Sequence, residues 1–196
     1  MLTQRRQFKL AGLLCLLSAF LTPVFIWAQL WLGKQDVWQV LPLTAGLSIL
    51  QLVLTYYPLS KYRELLVSRA SVKQMNPTIT VLLFVLVLMS FVQVLPRPGM
   101  IFGINIDRIM ELLFFTAATG YYVLGYQTIT ISSDLYGYRK IFGMVLMVFG
   151  VSGLLGPMLS GKIFMYLFSG TGIVVEVVMG LLFWKVVQRN QKVEIP

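Results

Sequence analysis

The stretch Thr78–Leu95, TITVLLFVLVLMSFVQVL, decides the fold class, because its 18 residues include no charged side chain. About 20 apolar residues in a helix, each rising about 1.5 Å, cross a hydrocarbon core of roughly 30 Å. A second charge-free stretch, Leu10–Gly33, is longer, and its length favours a membrane span over a signal peptide. Both stretches therefore predict transmembrane helices.

The composition extends this conclusion to the whole chain. Of 196 residues, 58% are hydrophobic and only 12% are charged, whereas soluble domains average about 25% charged residues. A backbone in lipid must satisfy its own hydrogen bonds, and the apolar runs lack the alternation of barrel strands. The sequence predicts an all-α integral membrane protein, a polytopic helix bundle with almost nothing left for a soluble domain.

We predict six spans in one transmembrane domain that covers residues 1–196. The predicted spans are Leu10–Leu32, Trp38–Leu59, Thr78–Leu95, Arg108–Ile131, Ile141–Ser160 and Ile163–Val187.

The basic residues predict the orientation of these spans, because Lys and Arg accumulate on cytoplasmic loops. With the N-terminus inside, four basic residues lie outside: Lys34, Arg97, Arg108 and Lys162. The remaining twelve lie inside: Arg5, Arg6, Lys9, Lys61, Arg63, Arg69, Lys73, Arg139, Lys140, Lys185, Arg189 and Lys192. We therefore expect both termini in the cytoplasm of a cell whose plasma (inner) membrane holds the protein. The same bias accounts for the net charge of +9, and no basic stripe with interleaved aromatic residues suggests nucleic acid as a partner.

The longest connection, Ser60–Pro77, is polar and basic and allows two interpretations. It is either a solvated loop or a surface helix over Lys61–Lys73 that turns Leu65 and Leu66 towards the lipid headgroups.

Missing residue types exclude several chemistries. The chain has no histidine and a single cysteine, Cys15, inside the first span. Histidine-ligated metals, a Ser-His-Asp triad and an intrachain disulfide are therefore excluded. No nucleophile–base pair or metal-ligand cluster appears in the spans, so we expect neither an enzyme nor a bound metal or cofactor.

Glu176 is the principal candidate for function, since an ionisable residue in the middle of a span is costly and usually has a role. Gly172, Gly180 and Ser169 form a stripe of small residues beside it, which allows close helix approach. We expect Glu176 to face protein or a water-filled cavity. It either binds a proton or a polar solute, or only donates a structural hydrogen bond from its protonated form to a neighbouring helix.

Further candidates for proton coupling or substrate binding are weaker. Glu111 lies one turn inside the fourth span, three residues from Arg108, with which it can pair. Gln51, Tyr122 and Gln127 are polar residues within spans, expected to face inward and suited to hydrogen bonds with neighbouring helices or with a solute.

The fifth span is rich in glycine, with Gly150, Gly153 and Gly156 at three-residue steps before Pro157. Both residue types weaken a helix, so their density predicts either static close packing or a bend that acts as a hinge. Under both interpretations Gly153→Leu should disrupt assembly or function.

The segment Ile129–Gly161 resembles the region between the fourth and fifth helices of the major facilitator superfamily. The stretch from Ser133 to Lys140, SDLYGYRK, is similar to the Asp-Leu and basic loop of that family, and the stretch from Gly153 to Gly161, GLLGPMLSG, to its Gly-Pro motif. The basic loop after the second span lacks the Gly and Asp-Arg pair of the family. The resemblance implies half of a twelve-helix transporter, in which six helices supply one wall of a central cavity.

Two functions fit these observations. The first is membrane transport of a small solute by a half-transporter-like protein, a homo-oligomer or a complex with another membrane protein, with Glu176 and Glu111 coupling transport to protons. The second is a non-transporting structural or assembly subunit of a membrane complex, in which the glycine-rich fifth helix is the docking face.

Overall fold

The computed structural model describes residues 2–32, 37–70, 75–95, 100–101, 103–130, 139–158 and 161–193, which are almost entirely helical. Six α-helices appear in this part of the chain: α1 (Leu2–Leu32), α2 (Val37–Ala70), α3 (Asn76–Val94), α4 (Ile106–Thr130), α5 (Arg139–Leu154) and α6 (Gly161–Val193). A short antiparallel hairpin, β1 (Met100–Ile101) and β2 (Ile104–Asn105), precedes α4. A 3₁₀ turn, Gly156–Met158, follows α5.

Five of these helices, all except α5, are long and apolar enough to cross a membrane. The expected all-α helix bundle is therefore confirmed. Helix α5 has 16 residues and is about 24 Å long at 1.5 Å per residue.

The helices form an antiparallel ring in chain order. Each helix packs against its neighbours in sequence, and α6 closes the ring against α1. Phe8 near the start of α1 stacks on Phe183 near the end of α6, and Gly12 faces Gly180 of α6. Both ends of the described chain therefore lie at the same end of the bundle.

This end of the bundle, which we name the closed end, is filled by a continuous core. Its largest fully buried side chains include Tyr62, Phe8, Phe142 and Phe183. The Tyr62 ring meets the Phe142 ring edge-on at 5.1 Å between centroids. Thr128 donates its hydroxyl proton to the carbonyl of Leu124 at 2.7 Å, so Tyr62 donates to Thr128 Oγ1 at 3.1 Å. Aromatic and aliphatic side chains therefore occupy the interior of the ring at this end.

The segment after the second predicted span differs from both sequence interpretations. Helix α2 continues without interruption to Ala70, and the Leu65 and Leu66 side chains are fully buried. Residues 61–70 are therefore neither a loop nor a surface helix, and residues 71–73 lie outside the described part of the chain. The helix continues because the extended ends of its neighbours provide apolar partners for these side chains.

Helices α4 and α5 approach closely through glycines. A Cβ at Gly143 would lie 2.8 Å from the carbonyl oxygen of Gly125, and a Cβ at Gly150 would lie 2.6 Å from the backbone nitrogen of Tyr122. Any larger residue would meet backbone atoms, which cannot rotate away. The absence of a side chain at these positions therefore sets the distance between the two helices.

Candidate functional site

Beyond the closed end, the ring of helices encloses a cavity of about 540 Å³. All six helices contribute to its wall. Representative lining residues, from α1 to α6, are Thr22, Gln51, Met89, Tyr121, Phe149 and Glu176. The cavity belongs to one chain, whereas the resemblance stated above implies six helices that supply only one wall.

Glu176 lies near the floor of the cavity, where the closed end begins. Ser18 of α1, itself 2% exposed, donates to Glu176 Oε1 at 2.5 Å. Thr22, one turn further along α1, lies 3.3 Å from Glu176 Oε2 and 2.9 Å from the carbonyl of Ser18. Because the Thr22 hydroxyl has one proton and its shorter contact is to that carbonyl, Oε2 keeps acceptor capacity towards the cavity.

Glycines on both α1 and α6 allow this arrangement. The mutual contact of Gly12 and Gly180, in which each would place a Cβ 3.3 Å from the other's carbonyl oxygen, brings α1 close to α6. Ser18 and Thr22 are four residues apart on α1, so they share one face of that helix. Close approach therefore places both hydroxyls at the carboxyl group of α6.

Two further hydroxyl groups line the cavity and face it as acceptors. Ser169 donates to the carbonyl of Met165 at 2.5 Å, and Thr55 donates to the carbonyl of Gln51 at 3.0 Å. Since each hydroxyl has only one proton, its lone pairs remain available to a ligand that donates hydrogen bonds.

The rest of the wall is apolar and strongly aromatic. Five rings, which we name the aromatic wall, form a connected series of contacts: Phe114, Tyr121, Phe149, Phe164 and Phe168. Phe149 and Phe168 stack at 4.6 Å between centroids, and Tyr121 meets Phe149 edge-on at 5.0 Å. Three helices therefore join through their rings on one side of the cavity.

Some of the candidate residues named from the sequence line the cavity and others do not. Glu176 and Gln51 line the cavity. Glu111 and Arg108 are exposed, and no salt bridge joins these two described side chains, so their expected pairing is absent. Gln127 has its Oε1 buried without a hydrogen-bond partner among the described residues, away from the cavity.

The tyrosine that lines the cavity is Tyr121, which is 8% exposed, rather than Tyr122, which is 37% exposed. Adjacent helical residues lie about 100° apart, so a shift of one position moves the ring from the interior to the outer surface. Tyr122 therefore faces outward, contrary to the expectation that it points into the bundle.

The glycines of α5 and of the 3₁₀ turn after it contact other helices of the same chain. A Cβ at Gly150 would meet the backbone of α4, one at Gly153 would lie 2.8 Å from the Cβ of Ala118, and one at Gly156 would lie 2.8 Å from the Phe164 ring. Pro157 lies in the 3₁₀ turn after α5.

Sequence reasoning missed the hydroxyl partners of Glu176 and the aromatic wall. The spacing of Ser18 and Thr22 is a detectable signal, because two small hydroxyl residues one turn apart form the polar patch of the otherwise apolar stretch 10–28. The aromatic wall has no comparable signal, since its rings come from three helices whose pairing the sequence does not give.

No protein-family model, curated protein or solved structure matches this chain.

Proposed function

We propose that this protein moves a small solute across a membrane and that Glu176 binds the solute or a proton inside the central cavity. The observation that carries the proposal is the position of Glu176, a carboxyl group on the wall of a cavity enclosed by membrane-spanning helices. An ionisable group inside a membrane is costly, and it is characteristic of ion and substrate pathways.

The proposed topology has six spans and cytoplasmic termini. The position of α5 between α4 and α6 supports its assignment as the sixth span, and the 3₁₀ turn extends its length of about 24 Å. The basic side chains described at the closed end are Arg5, Arg6, Lys9, Lys61, Arg63, Lys140 and Lys185, whereas Arg108 lies at the other end. The bias of Lys and Arg towards the cytoplasm then orients the closed end inward and the cavity outward.

The alternative function, a structural subunit, rests on the glycine face of α5 as a docking surface. In the structure Gly150, Gly153 and Gly156 contact α4, the Phe168 ring and the Phe164 ring of their own chain. The feature that suggested a docking face is thus used in internal packing. This observation favours transport over the subunit function.

The resemblance to half of a transporter is kept for the six helices but not for a cavity shared between two halves. A half-transporter needs a second half to complete its cavity, and here one chain lines the cavity with all six helices. We propose that each chain of a homo-oligomer or larger complex has its own solute site.

The test is solute-dependent proton movement in reconstituted vesicles. The full chain is incorporated with a pH-sensitive dye trapped inside, and a panel of organic cations, carboxylates and sugars is added under an imposed pH gradient. We expect one solute class to change the internal pH, and Glu176→Gln to abolish the change. Glutamine keeps an oxygen that accepts from Ser18, so the variant should fold.

Glu64→Gln is the matched control, because Glu64 lies at the closed end, where Lys61 binds it at 2.6 Å, and takes no part in the cavity. If the wild-type protein is folded but none of the solutes on the panel changes the internal pH, proton-coupled transport is excluded. Full activity in Glu176→Gln would exclude the assigned role of Glu176.

A further inference from the structure

We infer that the solute site is built for a lipophilic organic cation, a molecule with one positive charge and aromatic or branched apolar groups. This inference rests on the proposed function only in that it assigns a ligand class to the same cavity. Three properties of the wall support it: its charge, its rings and its remaining polar groups.

The charge of the wall favours a cation. Glu176 is the one residue with a formally charged side chain in the lining that the structure describes, and that lining includes no Lys or Arg. Its Oε1 accepts from Ser18, while Oε2 keeps capacity for a further donor. An anionic ligand would meet this carboxylate in a poorly solvated space, where repulsion between like charges is strong.

The aromatic wall provides a second attraction for a cation. The negative face of a ring attracts an organic cation within about 6 Å of its centroid, and ammonium ligands are commonly held by several such rings. Phe168 contacts three other rings, Phe114, Phe149 and Phe164, at centroid distances of 4.9, 4.6 and 5.5 Å. Because Phe149 and Phe164 stack on Phe168, the wall is one aromatic surface that packs against the apolar groups of the ligand. It offers a cation the ring faces that no other ring covers.

The remaining polar groups are few, which disfavours solutes that need many hydrogen bonds. Ser169 and Thr55 donate to backbone carbonyls, so they offer acceptors to a ligand that donates. Gln51 and Tyr121 add one amide and one phenol to the lining. A sugar needs donors and acceptors around its whole surface, and this wall is mainly apolar. The volume of about 540 Å³ lies within the roughly 300–1,000 Å³ of cavities that hold drug-sized ligands.

Tetraphenylphosphonium and tetraphenylborate provide a direct test, because the two ions have the same shape and opposite charge. Binding of each radiolabelled ion to the full chain in mild detergent is measured by equilibrium dialysis. We expect saturable binding of tetraphenylphosphonium at one site per chain, and no saturable binding of tetraphenylborate.

Variants assign the binding to this cavity. Glu176→Gln should weaken tetraphenylphosphonium binding roughly 10- to 100-fold, because it removes the Coulomb attraction between the carboxylate and the cation. Phe168→Leu should weaken it about 2- to 10-fold, the range for loss of favourable contacts between aromatic rings. Phe20→Leu is the matched control, since Phe20 is 77% exposed on the outer surface and its replacement should leave binding unchanged.

Ser169→Leu keeps the carboxylate and narrows the cavity, so it should weaken binding while the protein still elutes as a folded species. Equal binding of both ions, or unchanged binding in both Glu176→Gln and Ser169→Leu, would overturn the inference. This assay is independent of the flux measurement: binding without flux refutes transport and keeps the ligand class. Flux of another solute class without tetraphenylphosphonium binding refutes the ligand class and keeps transport.

Discussion

Replacement of Gly150 by alanine should destabilise the bundle, because the added methyl group has no space between α4 and α5. A Cβ at Gly150 would lie 2.6 Å from the backbone nitrogen of Tyr122 and 2.7 Å from the carbonyl oxygen of Ala118. Both neighbours are backbone atoms of a helix, so α5 must retreat from α4 by several tenths of an ångström. That movement also loosens the contact between Gly125 and Gly143.

The expected magnitude is a balance of two effects. Overpacking costs about 1–3 kcal/mol, and rigid backbone neighbours place this site near the upper end. Alanine recovers up to about 1 kcal/mol of helix propensity relative to glycine. The net loss of about 2 kcal/mol in the free energy of unfolding should lower the melting temperature by about 4–8 °C for a chain of this length.

The assay uses the one cysteine of the chain, Cys15, which is 2% exposed, so we expect it to react with a bulky thiol-specific fluorophore much faster after unfolding. The control is Gly170→Ala, because a Cβ at Gly170 meets nothing within 4 Å, and this variant should melt at or above the wild-type temperature. Equal melting temperatures for Gly150→Ala and Gly170→Ala would refute the argument that close backbone contact sets the α4–α5 distance.

Three further predictions follow from the ring and its cavity. Single cysteines at Lys34 and Arg97, in a cysteine-free background, should react with a membrane-impermeant reagent from outside the cell, and reaction only from the cytoplasm would reverse the proposed orientation. Tetraphenylphosphonium binding should weaken as pH falls, by about tenfold per unit once Glu176 is mostly protonated, because one proton and one cation compete for one carboxylate; pH-independent binding in equilibrium dialysis would contradict this competition. Thr128→Val should lower the free energy of unfolding by about 1–3 kcal/mol, and Tyr62→Phe by about 0.5–1.5 kcal/mol, because only the first variant leaves the buried Tyr62 hydroxyl without an acceptor. The reverse order in the thermal assay would show that the hydroxyl finds another acceptor.

The sequence was sufficient for the five long apolar helices, because hydropathy depends on local composition alone. The fifth predicted span, Ile141–Ser160, is the exception, since α5 ends at Leu154. The third predicted span, Thr78–Leu95, differs from α3 (Asn76–Val94) by two residues or fewer at each end. Hydropathy was insufficient at the closed end, where α1 begins at Leu2 and α2 continues to Ala70. These helices extend beyond their apolar runs because neighbouring helix ends bury Tyr62 and Phe8, and such tertiary contacts have no local signature.

The carboxyl group of the candidate site could be predicted from the sequence, whereas the residues that surround it could not. An acidic residue within an apolar run is visible in the sequence, so Glu176 could be identified without a structure. The ring order of the helices determines that Ser18 lies beside it and that Phe149 and Phe168 stack together. A single sequence does not specify that order, and the choice of Tyr122 over Tyr121 shows that even the facing side of one helix can be missed by one position.

The position of Glu176 along the bundle helps to separate a functional from a structural role. Removing a carboxylate from the middle of a membrane recovers about 2.5–3 kcal/mol of insertion cost, so a purely structural hydrogen bond to Ser18 is made more cheaply by glutamine. In the closed end the described core is filled by apolar and tyrosine side chains such as Phe183 and Tyr62, without a carboxylate. Glu176 instead lies where that core gives way to a cavity, with one oxygen held by Ser18 and the other still able to accept. A carboxylate at this boundary lies beside a cavity large enough for a ligand. Its insertion cost, its one oxygen still able to accept a hydrogen bond and the adjacent cavity together favour a role in ligand binding over a structural role.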